Sequence, residues 1–221
     1  MKTTITTIAM LLVLSLSFAQ LKGSGKTVTK TYDYQEFNKV FFNDLDGKLE
    51  IEVGKPFSIS ITIDDNLLNL LTVVQQSDNK TLTIGLKGNK NNKMYIEDTK
   101  IRVKICVPFL MEVTNNGNSG LIVTNINSKN FKSNNPENGS TSLSGIVDNL
   151  EVHCSGNGVL NAKQLVVKNA KIRAIGNGNA YVNVTEFITA KTSGNCTVIN
   201  YGKAKFDSDS SSSGNSRYVN N

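Results

Sequence analysis

The pattern of apolar and polar positions changes character near residue 115. Before that point, short segments alternate strictly between apolar and polar residues, as at 59–63 and 82–86. The segment 100–105 places three aliphatic residues on one side of a strand and three cations on the other. Period-two alternation is typical of a half-buried β-strand. We therefore predict an irregular β region over residues 31–114, with one short helical turn after 64–66.

From about residue 115 to 206 the sequence repeats itself roughly every 20 residues. A glycine followed by asparagine or serine marks each unit, and these corner glycines are Gly117, Gly139, Gly156, Gly176 and Gly194. Their spacings are 22, 17, 20 and 18 residues. Four positions after each glycine lies a residue of one apolar column, which comprises Leu121, Leu143, Leu160, Ala180 and Val198. A second apolar strand follows in most units, with Leu165 and Val167 in one unit and Phe187 in the next.

Such a period predicts stacked coils. One unit is too small to bury its own apolar stripe, but stacking places like residues above like and builds a continuous core. Glycine and asparagine suit the corners because they tolerate positive φ at the lowest cost. The fold class is therefore predicted to be all-β, a parallel β-helix or β-solenoid preceded by a more irregular β half. An antiparallel meander with similar turns is the alternative, and the fixed apolar column argues against it.

Both ends of the chain differ from this pattern. Lys2, the apolar run 8–18 and the small residues around Ala19 have the form of a secretory signal peptide over residues 1–19, which predicts a mature start at Gln20. The run is too short to span a bilayer, and no later segment is apolar enough to do so. Residues 20–30 form an N-terminal segment, and the Ser-rich stretch 207–221 is predicted to be a tail or a last coil. The protein is predicted to be exported to the periplasm, the outer surface or the medium.

Composition and charge limit the classes of partner that the chain can bind. The chain has no Trp and three Pro, and its 24 Lys and Arg against 18 Asp and Glu give a formal charge of +6. A mild basic excess favours acidic partners such as anionic polysaccharide. Nucleic acid is excluded because the basic residues are dispersed and the chain is exported. An ordinary solvated surface remains the simplest reading. Three Cys do not imply a disulfide framework.

Several motifs in a fixed order carry a family resemblance. They are 37–40 (FNKV), 47–54 (GKLEIEVG), 65–68 (DNLL), 82–84, 101–108 (IRVKICVP) and the repeated Gly-Asn-Gly corners. With these motifs the chain, over about residues 31–216, resembles the auto-transporter adhesin head, or GIN domain, proteins of Bacteroidetes. The resemblance implies a right-handed parallel β-solenoid and no firmly established activity. Two departures are Gly-Asn-Gly corners where Gly-Ser-Gly is more usual and an insertion with Pro136 at 133–140.

Catalytic and metal-binding patterns are weak in the repeats. A glycosidase needs two carboxylates at a set separation, and the acids between 115 and 206 are only Glu137, Asp148, Glu151 and Glu186. The single histidine, His153, precedes Cys154 on a strand, so the two side chains point to opposite faces. The corners carry Asn and Ser rather than the Asp that a calcium-binding β-roll requires. We therefore predict no catalytic residue, no metal and no cofactor.

Three functions remain for such a chain. The first is an exported binding or adhesion module for a cell-surface glycan or another envelope component. The second is a structural envelope protein without a small ligand, and the third is a carbohydrate-active β-helix enzyme, which the scarcity of acids disfavours. The candidate binding residues are Lys100, Arg102 and Lys104, because three like charges on one strand face call for a counter-charge. The sequence leaves the oligomeric state open.

Overall fold

The computed structural model describes residues 20–87 and 95–221, and the proposed signal peptide lies outside them. One 3-10 helix, Asp65–Leu70, accompanies the strands. The strands in chain order are β1 Gln20–Lys22, β2 Thr27–Tyr32, β3 Lys39–Asn43, β4 Gly47–Val53, β5 Ser58–Asp64, β6 Leu71–Gln76, β7 Thr81–Leu86, β8 Tyr95–Glu97, β9 Ile101–Val107, β10 Glu112–Asn116, β11 Gly120–Asn135, β12 Ser140–Cys154, β13 Val159–Gly176, β14 Asn179–Gly194, β15 Thr197–Asn200, β16 Ser211–Gly214 and β17 Arg217–Asn220.

The second half of the chain is a β-solenoid, as the repeat predicts. Its strands pair in parallel from β11 through β17, and the whole fold has about five turns. Each long strand bends twice, so one coil supplies three sides. We call them face A (120–124 and its equivalents), face B (126–128 and its equivalents) and face C (130–135 and its equivalents). Successive coils are offset by 20, 19, 20, 18 and 20 residues, read along the face A register from Gly120 to Arg217.

The core is a stack of inward side chains, and the register corrects the predicted column at one coil. Leu121, Leu160, Ala180 and Val198 are all buried. The residue between Leu121 and Leu160 in the stack is Thr141, whereas Leu143 pairs with Val123 two residues further along the strand. Leu143 is also buried. It therefore belongs to the neighbouring inward column and not to the one that sequence spacing assigns it.

The same coil explains the irregular spacing of the corners. Asparagine side chains form a ladder along the edge between faces C and A. Each Nδ2 donates to the Oδ1 of the asparagine on the preceding coil at 2.8–3.2 Å. Its members are Asn118, Asn138, Asn157, Asn177, Asn195 and Asn215. In the second coil the corner is thus Glu137-Asn138, and Gly139 is the counterpart of Gly158. Relative to the next coil there is no insertion around Pro136, because 135–140 and 154–159 are equal in length in the register.

Close stacking dictates glycine at the third corner position. A Cβ on Gly178 would lie 2.1 Å from the carbonyl oxygen of Gly158, which no side chain can tolerate. Gly176 also has φ of +102°, a backbone conformation that side chains rarely adopt. The Gly-Asn-Gly corner therefore combines one residue chosen for its backbone conformation, one for its amide ladder and one for the absence of a side chain.

The N-terminal half extends two of these faces and adds antiparallel strands. Face A continues through β4 and β9 to the antiparallel strands β5 and β2, and face C continues through β10, β3 and β7 to the antiparallel strand β6. The buried carboxylate of Asp64 accepts backbone N–H bonds from Gly25 at 2.8 Å and Lys100 at 2.6 Å. These bonds tie the segments before β2 and β9 to the end of β5, where the 3-10 helix begins.

The Ser-rich C-terminal segment forms one more coil. Strand β16 pairs in parallel with β14, and β17 pairs in parallel with β15. Tyr218 packs on Phe206 with ring centroids 4.8 Å apart, so the last coil also buries apolar surface. In the part of the chain that the structure covers, no helix has the length and apolar character to cross a membrane.

Candidate functional site

A shallow groove of about 520 Å³ runs along face C, across the coils from β10 to β14. Its wall at the corner between faces B and C is a second, shorter amide ladder. Asn149 donates to the Oδ1 of Asn130, and Asn169 donates to the Oδ1 of Asn149, both at 3.0 Å. These amides link three successive coils along this corner, so the wall of the groove runs from coil to coil.

The floor of this groove carries an outward column of alternating charge. In register from coil to coil, its members are Lys39, Glu112, Lys132, Glu151, Lys171 and Thr189. Lys132 and Glu151 form an ion pair at 3.2 Å, and His153 lies 2.9 Å from the same carboxylate. Alternation of this kind favours cross-strand pairing and leaves the column nearly neutral.

Phe187 interrupts the amide ladder at the far end of the groove. It takes the position next to Asn169, yet its ring has no N–H to donate. The Oδ1 of Asn169 is consequently buried without a hydrogen-bond partner among the described residues. The sequence pattern assigned Phe187 to an inward apolar strand, and this assignment is wrong, because the side chain is 70% exposed. An exposed aromatic ring at the end of this groove is available for stacking with a ligand.

Beside the groove lies a concentrated basic patch. Arg173 pairs in register with His153 on one side and with Lys191 on the other. With Lys171 these two cations line a depression of about 680 Å³ that also contains the carboxylates of Glu151 and Asp209. Neither Arg173 nor Lys191 has an ion-pair partner within residues 20–87 and 95–221. We use the name "basic patch" for Lys171, Arg173 and Lys191.

The predicted residues Lys100, Arg102 and Lys104 lie elsewhere, on face A in the N-terminal half. All three side chains are exposed. The ammonium of Lys100 donates to the carbonyl of Gly25 at 3.0 Å, and Lys104 stands in register with Glu50. Arg102 has Lys48 as its cross-strand neighbour. These cations are therefore partly compensated within the protein, and a role for them in binding stays a prediction.

Residue spacing along the chain hid the basic patch. Its members lie on two coils, and only the register brings Arg173 and Lys191 side by side. A search for charged residues that recur at the coil offset of 18–20 residues would have found the column of His153, Arg173 and Lys191. The exposed position of Phe187 had a weaker signal, since it follows the polar residues Thr185 and Glu186 at a bend whose length varies between coils.

Two of the four carboxylates in the repeats, those of Asp148 and Glu151, form ion pairs with lysines. Burial opposes the ionisation of Glu151, but the neighbouring Lys132 and His153 outweigh it and hold its pKa below the ordinary value. Asp148 pairs with Lys168 at 2.7 Å, and that hydrogen bond and charge raise the pKa of Lys168, with Glu186 adding a smaller effect. A lysine thus pairs with each of these two acids, whereas Glu137 and Glu186 have no ion-pair partner within residues 20–87 and 95–221. In the described ranges, no three His, Cys, Asp or Glu side chains form a cluster that could hold a metal ion.

The comparisons with known proteins agree with this architecture. A family model described as "Putative auto-transporter adhesin, head GIN domain" matches residues 36–204. Among proteins with a curated function, none matches the sequence.

Several solved structures share the fold at low sequence identity. One, "a putative adhesin" from Bacteroides fragilis, is 20% identical with a TM-score of 0.66, and the match covers 91% of this chain and 100% of that one. Another, "a putative adhesin" from Parabacteroides merdae, is 21% identical with a TM-score of 0.56, covering 91% and 99%. A third, a "putative lipid binding protein" from Parabacteroides distasonis, is 18% identical with a TM-score of 0.50, covering 91% and 99%. Likeness at these identities establishes the fold alone.

Proposed function

Since the chain belongs to the auto-transporter adhesin head, or GIN domain, family, we propose that it is an exported surface module that binds an extended acidic polysaccharide along face C. A family of this type suggests a surface or exported protein. A polysaccharide is also a ligand whose own repeat can follow a surface that repeats from coil to coil. The proposed mature start at Gln20 is checked by the intact mass of the secreted protein.

The observation that carries this proposal is the continuity between the groove and the basic patch. Glu151, Lys171 and Thr189 line both depressions, so one ligand can occupy the two together. Amides and hydroxyls suit the hydroxyl groups of a sugar chain, and the ring of Phe187 suits the apolar face of one sugar ring. The cations of the basic patch suit its carboxylates or sulfates.

Electrostatics favours an acidic ligand over a neutral one. Adjacent coils are about 4.8 Å apart, so Arg173 and Lys191 repel each other across neighbouring strands. An anion between them removes that repulsion and adds charge-assisted hydrogen bonds. A neutral glycan gains neither effect and is expected to bind more weakly.

A glycan array followed by titration with polygalacturonate tests the proposal. We expect binding to acidic and not to neutral chains, with affinity falling steeply from low to physiological salt. The double variant Arg173→Gln/Lys191→Gln should weaken binding by about tenfold or more. The triple variant of Lys100, Arg102 and Lys104 to Ala is the matched control. If it abolishes binding while the face C variant does not, the ligand occupies the N-terminal strand face instead.

The structural-protein alternative makes a different prediction. An envelope component without a small ligand would show no glycan on the array and would co-purify with other envelope proteins. The enzyme alternative would require turnover of a polysaccharide that Glu151→Gln abolishes. The pairing of Glu151 with Lys132 gives no support to cleavage by this carboxylate.

A further inference from the structure

The edge between faces A and B carries a notch that arises from unequal coil lengths. Between the two faces, the coil of β11 has Thr124 and Asn125, and the coil of β13 has Lys163 and Gln164. The coil of β12 lies between them and has only Ser144 before its corner at Gly145. Gly145 has φ of +132°, and a Cβ there would lie 2.1 Å from the carbonyl oxygen of Ile126. The middle coil is therefore held back while its neighbours protrude.

The resulting depression has a volume of about 360 Å³ and a polar lining. We call it the Lys163 notch, after its one charged residue. Its other polar lining residues are Thr124, Ser142, Ser144, Asn161 and Gln164. Hydroxyl and amide groups on several sides, with no carboxylate among them, suit a ligand that is rich in hydroxyls and carries negative charge.

An aromatic pair continues this notch on its far side. The next coil, β14, is shorter again, because Asn183 follows Val182 directly at the corner and pairs with Val166. Tyr181 on this short coil and Tyr201 on the following one have ring centroids 6.5 Å apart at an angle of 55°. The ammonium of Lys163 stands over both rings, at 5.6 Å from Tyr181 and 5.3 Å from Tyr201.

Lys163 thus joins a polar notch to an aromatic surface. No carboxylate in the described chain pairs with its ammonium. The two rings hold this charge in place by cation–π attraction, which does not neutralise it and so leaves it available to an anion. A ligand carboxylate on Lys163 would bring an adjoining sugar ring against Tyr181 and its hydroxyls towards Ser142, Asn161 or Gln164.

From this juxtaposition we propose that the Lys163 notch is a second binding site, which takes one acidic sugar unit such as a uronic acid. It lies on a different edge from the face C groove and does not rest on the function proposed above. A single sugar fits because the notch is bounded by protruding corners on two sides, whereas the groove is open along the solenoid axis.

Titration of the ¹⁵N-labelled protein with methyl glucuronide, followed by NMR, tests this site. Methyl glucoside is the matched neutral probe. We expect the glucuronide to shift the amide signals of 161–164 and 181–183, and the glucoside to bind at least about tenfold more weakly because it lacks the charge-assisted bond. Equal shifts with both sugars, or no shift at 161–164, would overturn the proposal.

Variants separate this site from the groove. Lys163→Gln and Tyr181→Leu should each reduce glucuronide binding by about tenfold, whereas Lys168→Gln, which removes an exposed lysine paired with Asp148, should leave it unchanged. The face C variant Arg173→Gln/Lys191→Gln should also leave it unchanged. If that variant abolishes glucuronide binding, the sugar binds on face C, and the notch is not a site. If that variant retains both polygalacturonate and glucuronide binding, only the groove is contradicted.

Discussion

Replacement of Leu160 by alanine tests how rigidly the coils are stacked. Leu160 has no exposed surface, and its register neighbours are Thr141 on one coil and Ala180 on the other. The change removes three carbon atoms, worth about 2.4 kcal/mol at about 0.8 kcal/mol per buried methylene. Any cavity that remains adds about 24 cal/mol for each Å³.

The parallel ladders on both sides of the coil limit relaxation of this cavity. Backbone hydrogen bonds hold neighbouring coils about 4.8 Å apart, so the two adjacent coils cannot move inward to fill the space. The loss of unfolding free energy should therefore lie in the upper part of the usual range, at about 3–5 kcal/mol. Leu160→Asp should prevent folding, because an unpaired charge would be buried.

Urea denaturation followed by far-UV circular dichroism measures this loss. Ile146→Ala is the matched control, because Ile146 is a similarly large aliphatic residue whose side chain is 61% exposed on face B. It should cost less than about 1 kcal/mol. The rigid stack would be refuted if Leu160→Ala lowered the free energy of unfolding by less than about 1 kcal/mol, or by no more than Ile146→Ala does.

Three further predictions concern the corners, the ladder and the thiols. Gly178→Ala should lower the free energy of unfolding, measured in urea, by about 1–3 kcal/mol or more, because its Cβ would lie 2.1 Å from a backbone oxygen. Gly120→Ala is the control and should be neutral or slightly stabilising, because its Cβ would meet only a Ser Oγ at 3.7 Å. Equal effects of the two changes would contradict the close stacking of corners. Phe187→Asn should add about 1 kcal/mol of stability by giving Asn169 a donor, yet should weaken polygalacturonate binding; unchanged binding would remove Phe187 from the site. Burial, with a smaller effect from Cys196, raises the pKa of Cys154 to about 12. This thiol should therefore resist a thiol-reactive dye in the native protein at pH 8 and react with it in urea. Rapid labelling of the native protein would show that the coils around Cys154 open.

Hydrophobic spacing was sufficient to predict the solenoid, because an inward column must stay apolar in nearly every coil. It failed where another interaction replaced apolar contact. Thr141 occupies the core position between Leu121 and Leu160, and its hydroxyl donates to the Oδ1 of the buried Asn135 at 2.7 Å. A rule that requires an apolar residue in the column therefore selects Leu143 at that coil instead of Thr141, and it places the corner at Gly139.

The candidate site was harder to predict than the fold. Which residues line it depends on the register and on the length of each bend, and both are decided by packing between residues about 20 positions apart. The notch exists because Ser144 is alone at a corner where the neighbouring coils have two residues. No local pattern in the sequence separates such a shortened corner from an ordinary loop.

The proposed binding of acidic polysaccharide on face C is tested most directly by NMR mapping of an oligogalacturonate on the labelled protein. We predict that the amide signals that shift most at low ligand concentration belong to 169–173 and 187–191, which include Arg173 and Phe187. Shifts confined to 100–104, or no saturable shift at physiological salt, would contradict the proposal.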